Sequence, residues 1–259
     1  MNDSEQKARI AMENQDWHSA VLLLEKALEE SPLDGELLLF LAEALCETGG
    51  SDKAVAILCQ GLESRPDELE WLFFLGDLYF EREEIEEALE CYDRILQMDP
   101  EEGEAWASIG LVCFQQLRYG DAIESYRKAI ALDGDSAFLC NCIGDAMMAR
   151  GETDKALETY RKALELDPDD AQVYLSLAEA YHELGQLGPA REACNRAISL
   201  DAELDEAYVA LGNILLDLDE SREALRNYEK FLSFPASAGN REIRAEVGAL
   251  IEGLRDELA

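Results

Sequence analysis

Residues 137–170, AFLCNCIGDAMMARGETDKALETYRKALELDPDD, decide the fold, because their pattern recurs along the chain. Ala156 belongs to the series Ala20, Ala54, Ala88, Ala122, Ala156, Ala190 and Ala224, spaced by 34 residues with no insertion. Pro168 keeps the same beat as Pro32, Pro66 and Pro100. Seven repeats therefore fill residues 1–238, as 1–34, 35–68, 69–102, 103–136, 137–170, 171–204 and 205–238, and leave 239–259 as a tail. A fixed period of this length marks an array of small helical units. Each unit buries its apolar face only against its neighbours, so the core is continuous rather than divided into ordinary domains.

Positions are numbered 1 to 34 within each repeat. Position 8 is small throughout: Ala8, Ala42, Gly76, Gly110, Gly144, Ala178 and Gly212. Position 20 is always alanine, and Gly49, Gly151 and Gly185 mark a turn at position 15. Small residues at 8 and 20 let two antiparallel helices approach closely. Large apolar residues at 4, 7, 11 and 24 surround that contact, as Leu72, Leu75, Tyr79 and Tyr92 do in the third repeat. The spacing 4, 7, 8, 11 is one helical stripe. Breaks between paired helices are expected near 15–17, 49–51, 83–85, 117–119, 151–153, 185–187 and 219–221. Asp99-Pro100 and Asp167-Pro168 close the second helix of their repeats, since the residue before proline avoids the helical region.

These residues resemble the tetratricopeptide repeat family, whose pattern is W-x2-L-G-x2-Y, then A-x3-F, then P. The pattern appears as Trp106, Ile109, Gly110 and Cys113, then Ala122 and Tyr126. It returns as Cys140, Ile143, Gly144 and Met147, then Ala156, Tyr160 and Pro168, and again as Tyr174, Leu177, Ala178 and Tyr181, then Ala190 and Cys194. The resemblance covers residues 1–238 and implies an all-α, right-handed superhelix of seven helix pairs. The first repeat departs most, with Ser4 and Lys7 at apolar positions, so its first helix is expected to fray or act as a cap. In the tail, Asn240 precedes a stripe of Ile243, Val247, Leu250, Ile251 and Leu254, the pattern of a capping helix that completes the array. A dimerisation helix is the alternative.

Composition narrows the function. There are 57 acidic and 22 basic residues, a net charge of -35, which repels nucleic acid and anionic membranes and attracts basic partners. No apolar run approaches the ~18 residues of a membrane span, and the polar start MNDSEQKARI has no signal core, so a cytoplasmic location is expected. The seven cysteines are an odd set at helix positions, which suggests small packing residues in a reducing compartment. Cys140 and Cys142 lie two residues apart on a helix, about 200° around it, which is no chelate. With two distant histidines, His18 and His182, and no phosphate-cradling loop, neither a metal, a cofactor nor an enzyme is expected.

The resemblance implies that positions 2, 5, 6, 9, 12 and 13 of each first helix line a concave groove. Acids stand there as i, i+4 pairs: Glu43 with Glu47, Asp77 with Glu81, and Glu179 with Glu183, with Asp145 a further acid. Such pairs destabilise a helix by a few tenths of a kcal/mol each, which a basic ligand would relieve. Leu39, Phe40, Phe73, Phe74, Phe80, Leu111 and Phe114 add apolar surface. The runs Leu37–Leu41 and Trp71–Leu75 are apolar all round, which a helix meeting water should not be. Two specialised family readings fail by residue. The chaperone-tail clamp needs a lysine, asparagine and arginine set that no three consecutive repeats supply. The asparagine ladder needs Asn at position 6, where this chain has Gln6, Phe40, Phe74, Ser108, Cys142, Ser176 and Ala210. The expected function is a protein-interaction scaffold holding a basic, apolar-anchored segment in repeats 2 to 4. Self-assembly through the patch of repeats 2 and 3, or service as the regulatory part of a larger enzyme complex, are the alternatives.

Overall fold

The computed structural model describes residues 3–32, 34–236 and 240–258. The described residues form α-helices and no strand. The first seven helices are α1 (Asp3–Glu13), α2 (Trp17–Glu30), α3 (Gly35–Glu47), α4 (Ser51–Ser64), α5 (Leu69–Glu81), α6 (Ile85–Met98) and α7 (Gly103–Gln115). Eight follow: α8 (Tyr119–Asp133), α9 (Ala137–Ala149), α10 (Thr153–Leu166), α11 (Ala171–Glu183), α12 (Leu187–Leu200), α13 (Asp205–Asp217), α14 (Ser221–Ser233) and α15 (Arg241–Leu258). They fall into two compact units, Met1–Val112 and Cys113–Ala259. In the first, α1 pairs with α2, α3 with α4 and α5 with α6, while α2 packs on α3 and α4 on α5. In the second, α9 pairs with α10, α11 with α12 and α13 with α14, and α15 lies on α14. Consecutive pairing, repeated within each unit, is the tetratricopeptide-repeat fold.

Every helix pair turns the same way. The residue at position 15 is left-handed in all seven repeats, with φ of 56° at Gln15, 77° at Gly49, 61° at Glu83, Leu117 and Asp219, 73° at Gly151 and 69° at Gly185. The next N–H then reaches back five residues, as from Gly50 to the Leu45 carbonyl (2.7 Å) and from Arg118 to the Cys113 carbonyl (2.8 Å). This closes the first helix and satisfies a carbonyl that would otherwise lack a partner. Glycine adopts such a φ freely, whereas an L side chain crowds the following carbonyl. Leu117 bears that strain while 70% exposed, so its side chain contributes little packing in return. Leu117→Gly should therefore raise stability by about 0.5–1 kcal/mol. The check is a higher urea midpoint, and an unchanged or lower one would show that Leu117 is held by something other than the turn.

The second helices of repeats 1, 2, 3 and 5 end just before a proline, whereas the sixth repeat has Ala202 at that position and the fourth has glycine. In the fourth, Gly134 replaces proline, α8 runs to Asp133, and the chain leaves through a glycine φ of 98°. Several first helices are opened by side-chain caps. Asp34, Ser136 and Asp170 accept the backbone N–H groups of Leu37, Leu139 and Val173, satisfying helix-start donors.

The first helix, α1, packs along α2 with Ala8 and Ala11 buried in the contact. Ser4 is small enough to be buried there too, and Lys7 turns out to solvent. At the other end, α15 covers α14 through Val247, Ile251 and Leu254. The expected stripe was too wide: Ile243 and Leu250 stay 42% and 40% exposed, because a helix resting on one neighbour buries only a narrow face. Arg244 ties the two together by donating to the Leu232 carbonyl (2.8 Å) at the end of α14. Among the described residues, no helix is long and apolar enough to cross a membrane.

Candidate protein interface

In the first unit, α3 and α5 carry most of the expected contact residues. Leu39 and Phe40 on α3, and Phe73, Phe74 and Phe80 on α5, are half-buried against the core with the rest of each side chain open. Glu43, Glu47, Asp77 and Glu81 are exposed. The two helices are tied at their starts, where Trp71 Nε1 donates to the Gly35 carbonyl at 3.3 Å. Glu81 on α5 also reaches toward α3: after burial itself, its charge is the next cause raising the Cys46 thiol's pKa. The chain's own first helix covers part of this face. The Arg9 guanidinium lies 4.9 Å from the Phe40 ring centre and pairs with Glu36 at 2.7 Å, holding that carboxyl below its usual value. Leu111, on α7, is half-buried in the same unit.

The position 9 acids have a second role that sequence reasoning missed. Tyr92 donates to Asp77 Oδ1, Tyr160 to Asp145 Oδ1 and Tyr228 to Asn213 Oδ1, each at 2.7 Å and each 15 residues apart. Each tyrosine ring lies on the position 8 glycine before its acceptor. A Cβ at Gly76 would stand 2.7 Å from Tyr92 Cε1, one at Gly144 2.3 Å from Tyr160 Cε1, and one at Gly212 2.4 Å from Tyr228 Cε1. The signal was present in the chain. Glycine at position 8 accompanies tyrosine at 24 in four repeats, and alanine accompanies Leu24, Leu58 or Cys194 in the other three. In the fourth repeat position 9 is Leu111, which has no acceptor, and the buried Tyr126 hydroxyl faces the Cys142 thiol. Asp145 is half-buried, and desolvation raises its pKa against the opposing hydrogen bond from Tyr160.

The second unit holds the remaining expected residues. Phe114 is half-buried, edge-on to Tyr119 at 5.4 Å. Glu179 and Glu183 are exposed on α11. Glu179 nevertheless has a raised pKa, from desolvation first and then from the charges of Asp145 and Glu206. Glu179 lines a recess with Glu206 and Asn213. Among the thiols, Cys91, Cys113, Cys140 and Cys194 are buried, and burial pushes Cys194 up to about 12. Among the described residues, no group of His, Cys, Asp and Glu is placed to hold a metal ion.

Comparison with known proteins adds the family. The family model described as cilia and flagella-associated protein 70 C-terminal domain matches residues 2–207, and a tetratricopeptide repeat model matches residues 205–236. No curated protein sequence matches the chain. Among solved structures, a tetratricopeptide repeat protein from Parabacteroides merdae ATCC 43184 superposes with a TM-score of 0.80 at 22% identity, covering 96% of this chain and 98% of that one. The type IV pilus biogenesis factor PilW gives 0.70 at 18% identity over 80% and 97% of the two chains. YrrB, described as a TPR protein with an unusual peptide-binding site, gives 0.53 at 18% identity over 74% and 97%. At these identities the likeness is one of fold.

Proposed function

The chain belongs to the family of the cilia and flagella-associated protein 70 C-terminal domain, and on that premise we propose that it is a non-catalytic interaction module. Tetratricopeptide repeats generally mediate contacts between proteins. In this one, the α3 and α5 faces hold a basic polypeptide segment with apolar anchors, extended or helical. One observation carries the reading: four half-buried phenylalanines, Phe40, Phe73, Phe74 and Phe80, share these two helices with four exposed acids, Glu43, Glu47, Asp77 and Glu81. Leu39 widens the apolar surface, and Leu111 on α7 belongs to the same unit. The peptide-binding site for which YrrB is described supports a similar use here. The family description favours a role in a ciliary or cytoplasmic assembly.

The test separates field from contact, using short peptides that alternate leucine with lysine and, as control, leucine with glutamate. Asp77 must be left in place because it also holds Tyr92. Glu43→Lys with Glu81→Lys reverses the local field without touching that bond. It should slow association of the lysine peptide, and the effect should fade with added salt. Phe74→Ala should instead speed dissociation, costing about 2 kcal/mol or more as a hot spot does. Equal binding by parent and both variants would remove α3 and α5 as the site. A Phe74→Ala variant that binds normally but changes oligomeric mass would make the patch a contact between copies.

A further inference from the structure

A recess of about 870 Å³ opens in the second unit, among α11, α13, α14 and the start of α15. Its volume lies in the range of ligand sites. Its lining includes the apolar Val209, Ala210, Phe231, Phe234 and Ile243 together with the acids Glu179, Glu203, Asp205 and Glu206. Among the described residues that line it there is no lysine or arginine. Two of the chain's own cations border the aromatic side of the recess: Lys230 lies over the Phe234 ring at 4.7 Å, and Arg244 lies over the Phe231 ring at 5.4 Å and donates to the Leu232 carbonyl at 2.8 Å. His182, on the rim, bonds through Nε2 to Asp217 Oδ2 at 2.7 Å.

We infer that this recess is a docking site for one lysine or arginine side chain of a partner polypeptide, taken together with an adjoining apolar residue. The aliphatic stem and the apolar neighbour lie along Val209, Phe234 and Ile243, and the cationic head reaches Glu179, Asp205 and Glu206. Charge complementarity selects the occupant. Carboxylates gathered in a concavity repel one another and lose hydration, and a cation brought from outside relieves both costs. Desolvation indeed raises the Glu179 and Glu206 carboxyls, and neighbouring acids add to it. A bare metal ion does not suit the site, since no metal-holding cluster exists among the described residues and half the lining is apolar. A lysine or arginine carries both chemistries on one side chain.

The probe is the end-blocked tripeptide Leu-Lys-Leu, with Leu-Gln-Leu as its uncharged counterpart, followed by NMR titration. Leu-Lys-Leu should shift the resonances of Val209, Asn213 and Ile243, and Leu-Gln-Leu should bind about tenfold more weakly. Glu179→Gln with Glu206→Gln keeps shape and removes charge, so it should lower affinity about tenfold while leaving the thermal midpoint no lower than the parent's. Ile243→Ala, at a partly exposed position, should weaken both peptides together. In the Glu43→Lys, Glu81→Lys variant, Leu-Lys-Leu should shift the Val209, Asn213 and Ile243 resonances at the same concentrations as in the parent, which keeps this site's outcome separate from that of the α3 and α5 surface. Equal binding of the two tripeptides, unshifted Ile243, or undiminished affinity in the double glutamine variant would each overturn the inference.

Discussion

Tyr160→Ala should lower the stability of the second unit by about 3–5 kcal/mol, in line with truncation of a large buried aromatic side chain. Tyr160 is 1% exposed, so nearly the whole ring leaves a void between α9 and α10 that the backbone cannot close. The hydroxyl adds a second loss. It donates to Asp145 Oδ1 at 2.7 Å, and desolvation already raises the Asp145 carboxyl. Without its donor, that carboxylate is held away from water with one bond fewer. Tyr160→Phe separates the two contributions: it keeps the ring and should cost only about 1–2 kcal/mol. Because each repeat contacts only its neighbours, the loss should appear first as faster amide exchange in α9, α10 and α11. A destabilisation of Tyr160→Ala below that of Tyr160→Phe plus about 1 kcal/mol would mean the ring is not a core element.

The helix pairs were legible because a fixed period leaves little room for error. Once Gly49, Gly151 and Gly185 mark position 15, the turns at Gln15, Glu83, Leu117 and Asp219 follow from register alone, although of these only aspartate is enriched at a left-handed φ. Local chemistry would have missed the other three. The tail shows the limit: its five-residue apolar stripe promised a broad cap, but contact with α14 buries only Val247, Ile251 and Leu254. How wide a face is buried depends on how many neighbours a helix meets, which periodicity does not encode.

The candidate surface divides in the same way. The acids and phenylalanines of α3 and α5 were assigned to one face by the family resemblance; the phenylalanines are half-buried and the acids exposed. Asp77 and Asp145 could be recognised as acids but not as acceptors for Tyr92 and Tyr160, since that bond joins two helices. Of the acidic recess near α15, Glu179 and the α13 residues Glu206, Val209, Ala210 and Asn213 stand at groove positions that the resemblance implies, but the part played by the tail was out of reach. The recess brings together Glu179, Glu206, Phe234 and Ile243 from four segments, and nothing in the repeat pattern says how α15 settles on the last pair.

The pairing of glycine at position 8 with tyrosine at position 24 leads to the second large effect. Gly144→Ala should destabilise the protein by about 1–3 kcal/mol as an overpacked core does, even though alanine favours a helix over glycine by about 1 kcal/mol. The added Cβ would stand 2.3 Å from Tyr160 Cε1, 2.6 Å from Cδ1 and 2.8 Å from Cζ. No rotamer change of the alanine can relieve that overlap, so the ring must shift and pull its hydroxyl from Asp145. The second repeat offers the remedy, because there Ala42 accompanies Leu58 and both are fully buried. Tyr160→Leu alone should destabilise by leaving unfilled space. Combined with Gly144→Ala it restores the pair used in that repeat, so the double variant should be more stable than the sum of the single effects by about 0.5–3 kcal/mol. Urea midpoints of the parent, the two single variants and the double complete the cycle. Strict additivity would show that position 8 is kept small for a neighbour other than the tyrosine, and the co-occurrence in four repeats would then have no steric basis.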